Sequence, residues 1–333
     1  MEKKRGQPKS KLTAEEAVIH RLSERVVKAQ NPIRILDAIK WDEKVEKQFF
    51  KTKCKELPKV DAEYYLQHQP LRYNPEKKID EFFQIEHDIR KNLGTFSGVS
   101  KIMQRMCREY REVVMMMESR GKPAFSKISQ QLYGSSEDAF YVDAPTLNDL
   151  ACAVSKTLDN IQDKAISKQD EKIYTAKQSI EILGPKLERY FTDMSGDPRV
   201  IVSDDIVADA AAGAETIKMN QSVMFSKRAL RQLEVHEGWV HLGTTLNGKR
   251  QPICTFLSKG APSSTVTQEG LAILVEILTF SSFPSRVRRI TDRVRAVNMA
   301  EDGADFLDVF KYFESTGNDS EAAYKCAVRA FRG

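Results

Sequence analysis

Cysteine is scarce and scattered. Cys54, Cys107, Cys152, Cys254 and Cys326 are odd in number and nowhere fall into a CxxC spacing. That argues against a disulfide framework and a cysteine zinc site, and fits reduced thiols in a cytoplasmic protein. Long hydrophobic runs are missing too. The longest apolar stretch, Leu271 to Phe280, contains Glu276 and is far short of the roughly 20 residues that span a bilayer. The basic N-terminus leads into Leu12-Thr13-Ala14-Glu15-Glu16, with no apolar segment behind it, so it does not read as a secretory signal. Charge of one sign is not in marked excess. Lys+Arg 52 against Asp+Glu 47 leaves +5, and Lys3, Lys4, Arg5, Lys9 and Lys11 facing only Glu2 account for much of it. The body is close to neutral, so nothing in it demands nucleic acid or an anionic membrane as partner. No internal repeat is apparent.

What is present suits a packed globular protein. A hydrophobic share of 41% and a charged share of 30% over 333 residues allow one or two domains with real cores and exclude a disordered chain. Residues 1–11 read as a disordered basic tail. A helical N-terminal region is expected over 12–172, with helices from Thr13, over Ile33–Phe50, Ile79–Leu93, Ser100–Ser119 and Thr146–Ile161, and a loop-rich stretch between Pro58 and Pro70. Met103, Met106, Met115, Met116 and Met117 read as core packing.

A second region, 173–333, opens with a helix over Thr175–Tyr190. Two strands are then expected, Val200 to Asp205 and Thr216 to Asn220, joined through a small-residue linker, Ala210–Gly213. Helices follow over Ser226–His241, Gln268–Phe280, Arg286–Met299, Phe306–Phe313 and Ser320–Phe331, with a loop over Gly243–Ser264. The order implies an α+β fold with a helical majority and a small sheet. Arg286, Arg288, Arg289, Arg293 and Arg295 alternate with Val287, Ile290, Val294 and Val297, which reads as the solvated face of a helix. No aromatic interleaving supports a nucleic-acid surface.

The sharpest motif is His236-Glu237-Gly238-Trp239-Val240-His241, which uses two of only five histidines. The common zinc-protease spacing puts its histidines four apart on one helix face. Five apart on a regular α-helix is about 500°, leaving the second ring roughly 140° away from the first. One metal can hold both rings only if the helix takes in an extra residue as a π-bulge around Gly238–Val240, or breaks there. Downstream, Thr265 and Gln268 fit a capping box, which would put Glu269 in the first turn of an apolar helix. A carboxylate among Leu271, Ala272, Ile273, Leu274 and Val275 needs a partner, either a metal or an arginine. Two histidines and a glutamate, with a fourth position open, form the donor set of a catalytic zinc site. Glu237 is then placed as the base that takes a proton from the attacking water. The same residues also admit plain helix histidines and a capping carboxylate.

The chain resembles a known family at these residues. Gln268-Glu269-Gly270-Leu271-Ala272 is the string that names the flavohemoglobin expression-modulating QEGLA motif proteins, of the family that includes the microtubule-associated tyrosine carboxypeptidase. His236 to His241, Leu246-Asn247-Gly248, Gln251-Pro252, Arg120 to Phe125 and Leu132 to Ser135 carry the same likeness, which runs from about Ile33 to Gly333. The resemblance implies a zincin-like metallopeptidase domain in which His236, His241 and Glu269 ligate Zn2+ and Glu237 is catalytic. It implies a carboxypeptidase acting on a peptide or protein C-terminus and releasing an aromatic residue, with the strand near Ile217 beside the cleft. An exopeptidase also needs a cation for the free carboxylate, and Lys218, Lys249, Arg250, Arg329 and Arg332 are candidates. Family members continue past an Arg-Gly like Arg332-Gly333, so the resemblance implies a catalytic domain truncated at its C-terminus. The rival reading is a non-enzymatic regulator of flavohemoglobin expression on the same fold.

Overall fold

The computed structural model describes residues 12–159, 170–192, 199–204, 206, 208–213 and 215–332. The expected tail over 1–11, the end of the helix expected to reach Ile161, and Asp205 lie outside the described residues. The fold is mostly helical with one small sheet. Three apolar cores organise it.

The first core forms where amphipathic helices Ala14–Gln30, Pro75–Leu93 and Gly98–Glu118 bury their apolar faces together. Leu22, Val26, Phe82, Ile85, Met103, Met116 and Met117 meet there, and Phe256 and Ala261 join them from far along the chain. Four of the five methionines in the Ser100–Ser119 pattern are buried as expected; Met115 is exposed. Local chemistry defines the helix ends. Thr13 and Glu16 form a capping box on the first helix, and Asn74 and Ser97 cap the next two. Buried Glu86 takes Arg90, Arg108 and Arg111 at 2.8–3.2 Å, so its charge is paired rather than stranded.

The second core lies under the sheet. Strands β1 (Arg199–Ser203), β2 (Ala210–Ala212) and β3 (Thr216–Asn220) are ordered β1-β3-β2. β1 runs parallel to β3 with Val200 opposite Ile217, and β2 runs antiparallel with Ala212 opposite Ile217. Ile217 and Met219 point into the core with Leu183 and Leu187 of helix Ala176–Tyr190 and with Leu230, Leu233, Leu242 and Leu246. The third core is aromatic: Phe49, Phe306, Phe310, Phe313 and Tyr324 pack with ring centroids 5.1–5.6 Å apart where the rings pair.

Several local expectations need correcting. The single helix over Ile33–Phe50 is two pieces, Ile35–Ala38 and Glu43–Lys51, because the Asp42 N–H donates to the Tyr64 hydroxyl instead of continuing a ladder. The Pro58–Pro70 stretch contains a helix, Ala62–His68, capped by Asp61. The Ala210–Gly213 linker is the edge strand β2. The expected loop over Gly243–Ser264 instead extends the preceding helix to Lys249 and, from Pro262, begins the next.

Candidate metal centre and its cleft

One continuous helical rod carries the histidine motif. It is α-helical over Lys227–Leu233, π-helical over Glu234–Leu242 and α-helical again over Gly243–Lys249. The distortion expected around Gly238–Val240 is therefore present, and it is longer than expected. An i→i+5 repeat brings residues five apart back to nearly the same face, so His236 and His241 turn their rings toward each other, centroids 4.9 Å apart. Packing holds the π segment. Glu234, almost wholly buried, accepts from Lys186 Nζ at 2.6 Å, Arg231 Nη1 at 2.9 Å and Tyr190 Oη at 3.1 Å. A Cβ on Gly238 would sit 2.6 Å from Leu187 Cδ2, so glycine allows the rod to lie close against helix Ala176–Tyr190. Trp239 lies edge-on to Tyr190 at the end of that same helix and under the Arg231 guanidinium.

Glu269 comes from helix Pro262–Leu278. Its Oε2 lies 3.6 Å from His236 Nε2 and its Oε1 3.4 Å from His241 Nε2. Donor atoms of His236, His241 and Glu269 all fall within 4.8 Å of one another, and no other such trio converges among the described residues. The outer ring nitrogens are held as well: His236 Nδ1 lies 2.7 Å from Glu276 Oε1, and His241 Nδ1 lies 3.0 Å from Gln268 Oε1. These contacts fix both rings with Nε2 inward, the arrangement that orients imidazoles toward a metal. Glu276 is fully buried and also receives Gln232 Nε2 at 3.0 Å and Arg286 at 3.2 Å.

Charge in the pocket is out of balance. Burial pulls the His236 pKa down, but hydrogen bonds to Glu269 and Glu276 overcome it and push it up to about 9. Glu269 is held low chiefly by its bond to His236. Burial raises the Glu237 carboxyl, against the pull of both histidines. The cluster favours positive charge at its centre and a proton-accepting carboxylate beside it. Glu237 Oε1 stands 4.0 Å from His236 Nε2, and its Oε2 accepts the Ala212 N–H at 2.8 Å.

Other details depart from the sequence reading. Glu269 is about two turns into its helix, not in the first turn, because that helix starts at Pro262 with Ala261 as N-cap. Thr265 donates to the Ala261 carbonyl instead of forming a capping box, which leaves Gln268 free to meet His241. The Glu269 side chain is 57% exposed, and Leu271 and Leu274 beside it are exposed too, so it opens on a cleft rather than a core. That cleft encloses about 460 Å³ and is lined by His236, Glu237, His241 and Glu269, by β2, and by Gln30, Arg34 and Lys259. The strand at the cleft is β2 rather than the one near Ile217, whose side chain is core. None of the five candidate cations lines the cleft; Arg34 and Lys259 do. Arg286 is not simply solvated: it pairs with Glu276. A periodicity argument could have found Glu276, seven residues and so about two turns from Glu269 on one helix face.

No curated protein and no solved structure matches the chain. The sequence model of one family, described as microtubule-associated tyrosine carboxypeptidase, matches residues 47–333. That stretch holds the π-helix, Glu269 and most of the cleft, and the chain belongs to the microtubule-associated tyrosine carboxypeptidase family.

Proposed function

We propose that the protein is a cytoplasmic, zinc-dependent metallocarboxypeptidase with a zincin-like catalytic region. It would remove the C-terminal residue of a peptide or protein, an aromatic residue such as the tyrosine of the family's name. The observation that carries this reading is the convergence of His236, His241 and Glu269 from a π-helix and a facing helix, with Glu237 beside them. Two imidazoles and a carboxylate, with Glu276 and Gln268 behind the rings, suit Zn2+ and leave a coordination position open. A zinc ion held there would polarise the scissile carbonyl and lower the pKa of water to about 7.

The chain's own residues supply the rest. Glu237, raised by burial and steadied by the Ala212 N–H, takes the proton of the attacking water and returns it to the leaving amine. Glu276 and Gln268 keep the histidine rings from rotating. The edge of β2 gives an extended peptide a backbone to lie against.

Metal analysis and mass spectrometry test this together. The purified protein should contain about one zinc per chain, the number that one three-residue donor set holds. It should also shorten a peptide ending in tyrosine by one residue. The double variant His236→Ala/His241→Ala should lose both properties. Zinc retained in that variant would remove the ligand assignment, and a zinc-free, inactive wild type would favour the non-enzymatic regulator.

A further inference from the structure

Two cations that line the cleft have no counter-ion among the described residues. The Lys259 and Arg34 side chains make no ion pair or hydrogen bond among the described residues, whereas nearby Lys249 is paired with Glu215 at 2.6 Å. Lys259 is half-buried, and its ammonium pKa is pulled down by burial first, then by Arg34 and Lys249. Among the described residues that amine has no counter-ion. Gln30 lines the same wall, and its side-chain oxygen is buried without a hydrogen-bond partner. Buried polar groups are ordinarily satisfied, so the orphaned Gln30 oxygen and the half-buried Lys259 ammonium on one wall indicate a missing polar ligand, to which exposed Arg34 adds a second cation.

The wall is firmly built. Lys259 lies between the 3-10 turn Thr255–Ser258 and the helix that bears Gln268 and Glu269. The Tyr110 hydroxyl donates to the Gly260 carbonyl next to it, and Glu109 accepts from Ser263. Gln30 ends the first helix and Arg34 follows it, and that helix packs on the same 3-10 turn.

We infer that Lys259 and Arg34 form the subsite for the free terminal carboxylate of the substrate peptide, with the Gln30 side-chain oxygen on the same wall for the N–H of that terminal residue. The inference rests on the proposed carboxypeptidase reading and deepens it. An ammonium and a guanidinium offer charge-assisted donors to one carboxylate. The orphaned Gln30 oxygen is an acceptor, so it meets the N–H of the terminal residue rather than its carboxylate. The terminal carboxylate lies one residue from the bond that Glu237 and the metal site address, so one cleft serves both ends of that residue. The same donors would serve an acidic side chain upstream, and the test separates the two sources.

Calorimetry on zinc-loaded Glu237→Gln protein, which binds without turnover, would use a pentapeptide ending in tyrosine. It is offered as the free acid, as the C-terminal amide, and as a free acid with an upstream Glu changed to Gln. The free acid should bind about tenfold or more tightly than the amide, the loss expected for one charged hydrogen bond, and the Glu-to-Gln peptide should bind like the parent. Lys259→Met should abolish the acid-over-amide preference, and Lys259→Arg should restore most of it. In the active enzyme, Lys259→Met should raise KM for the free acid with less change in kcat. Equal zinc content reports an intact site, and Arg34→Met, at an exposed position, gives the same readout should Lys259→Met fold poorly. Equal binding of acid and amide by the parent protein would overturn the inference, as would a full preference persisting in Lys259→Met/Arg34→Met. Dependence on the upstream Glu alone would overturn the terminal-carboxylate assignment. Binding is read without turnover, so an inactive wild type would sink the carboxypeptidase reading separately.

Discussion

Two buried helical rods in this molecule solve different problems. Helix Gly98–Glu118 runs for 21 residues unbroken and buries Met103, Met106, Tyr110, Val113 and Met117 at three- and four-residue spacing. The rod that carries the histidines is split into stretches of 7, 9 and 7 residues with a π-helical middle, and it buries Glu234, His236 and Gly238 among its apolar residues. The first has only to fill space, so regular geometry and flexible methionines suffice. The second must present two rings, five residues apart, to one point. It takes up a less favourable helix to do so, and its surroundings hold it there through the bonds to Glu234 and the close approach of Leu187 to Gly238.

Four substitutions would break or sharpen that contrast. Glu237→Gln should lower the hydrolysis rate by roughly 10²- to 10⁴-fold while zinc and fold persist, because the near-isosteric amide cannot accept a proton. Zinc loss in that variant would make Glu237 a ligand instead. On the regular helix, Met116→Ala should destabilise the protein by about 2–5 kcal/mol in denaturant melts, leaving zinc affinity unchanged. A parallel fall in zinc affinity would show that the two rods do not act independently. Gly238→Ala should cost about 1–3 kcal/mol through collision with Leu187, and Leu187→Ala in the same chain should recover part of it. Additive losses would exclude that contact as the reason for glycine. Gln268→Ala should weaken zinc binding by about tenfold with little change in melting, the lower end for a residue that orients a histidine ligand. Unchanged affinity would mean that the His241 ring is held by packing alone.

Legibility in the sequence followed the reach of the interactions. His236, Glu237, His241 and Glu269 stood out because composition and spacing within short windows carry the chemistry. The helix distortion followed from the angle between the rings. Glu276 and Gln268 were visible but misread, one as a break in an apolar run and the other as a capping partner, since their real partners lie 40 and 27 residues away. β2 looked like a linker because three alanines have little intrinsic preference for a strand; pairing with β3 gives them one. Arg34 and Lys259 had no local signature at all. They share a wall only because the first helix docks on the turn before Lys259.

That docking has a consequence for how the protein can change. Leu22, Val26 and Ala29 seat the first helix in the same core as Phe256 and Ala261, so the contacts that keep the chain folded also shape the cleft that His236, His241 and Glu269 line. The family match begins at residue 47, after Gln30 and Arg34. Substitutions that loosen this one helix would therefore change the shape of the cleft wall and thermal resistance together while leaving the histidine–glutamate cluster unaltered. The histidine–glutamate cluster and the wall that shares its cleft can thus drift at different rates.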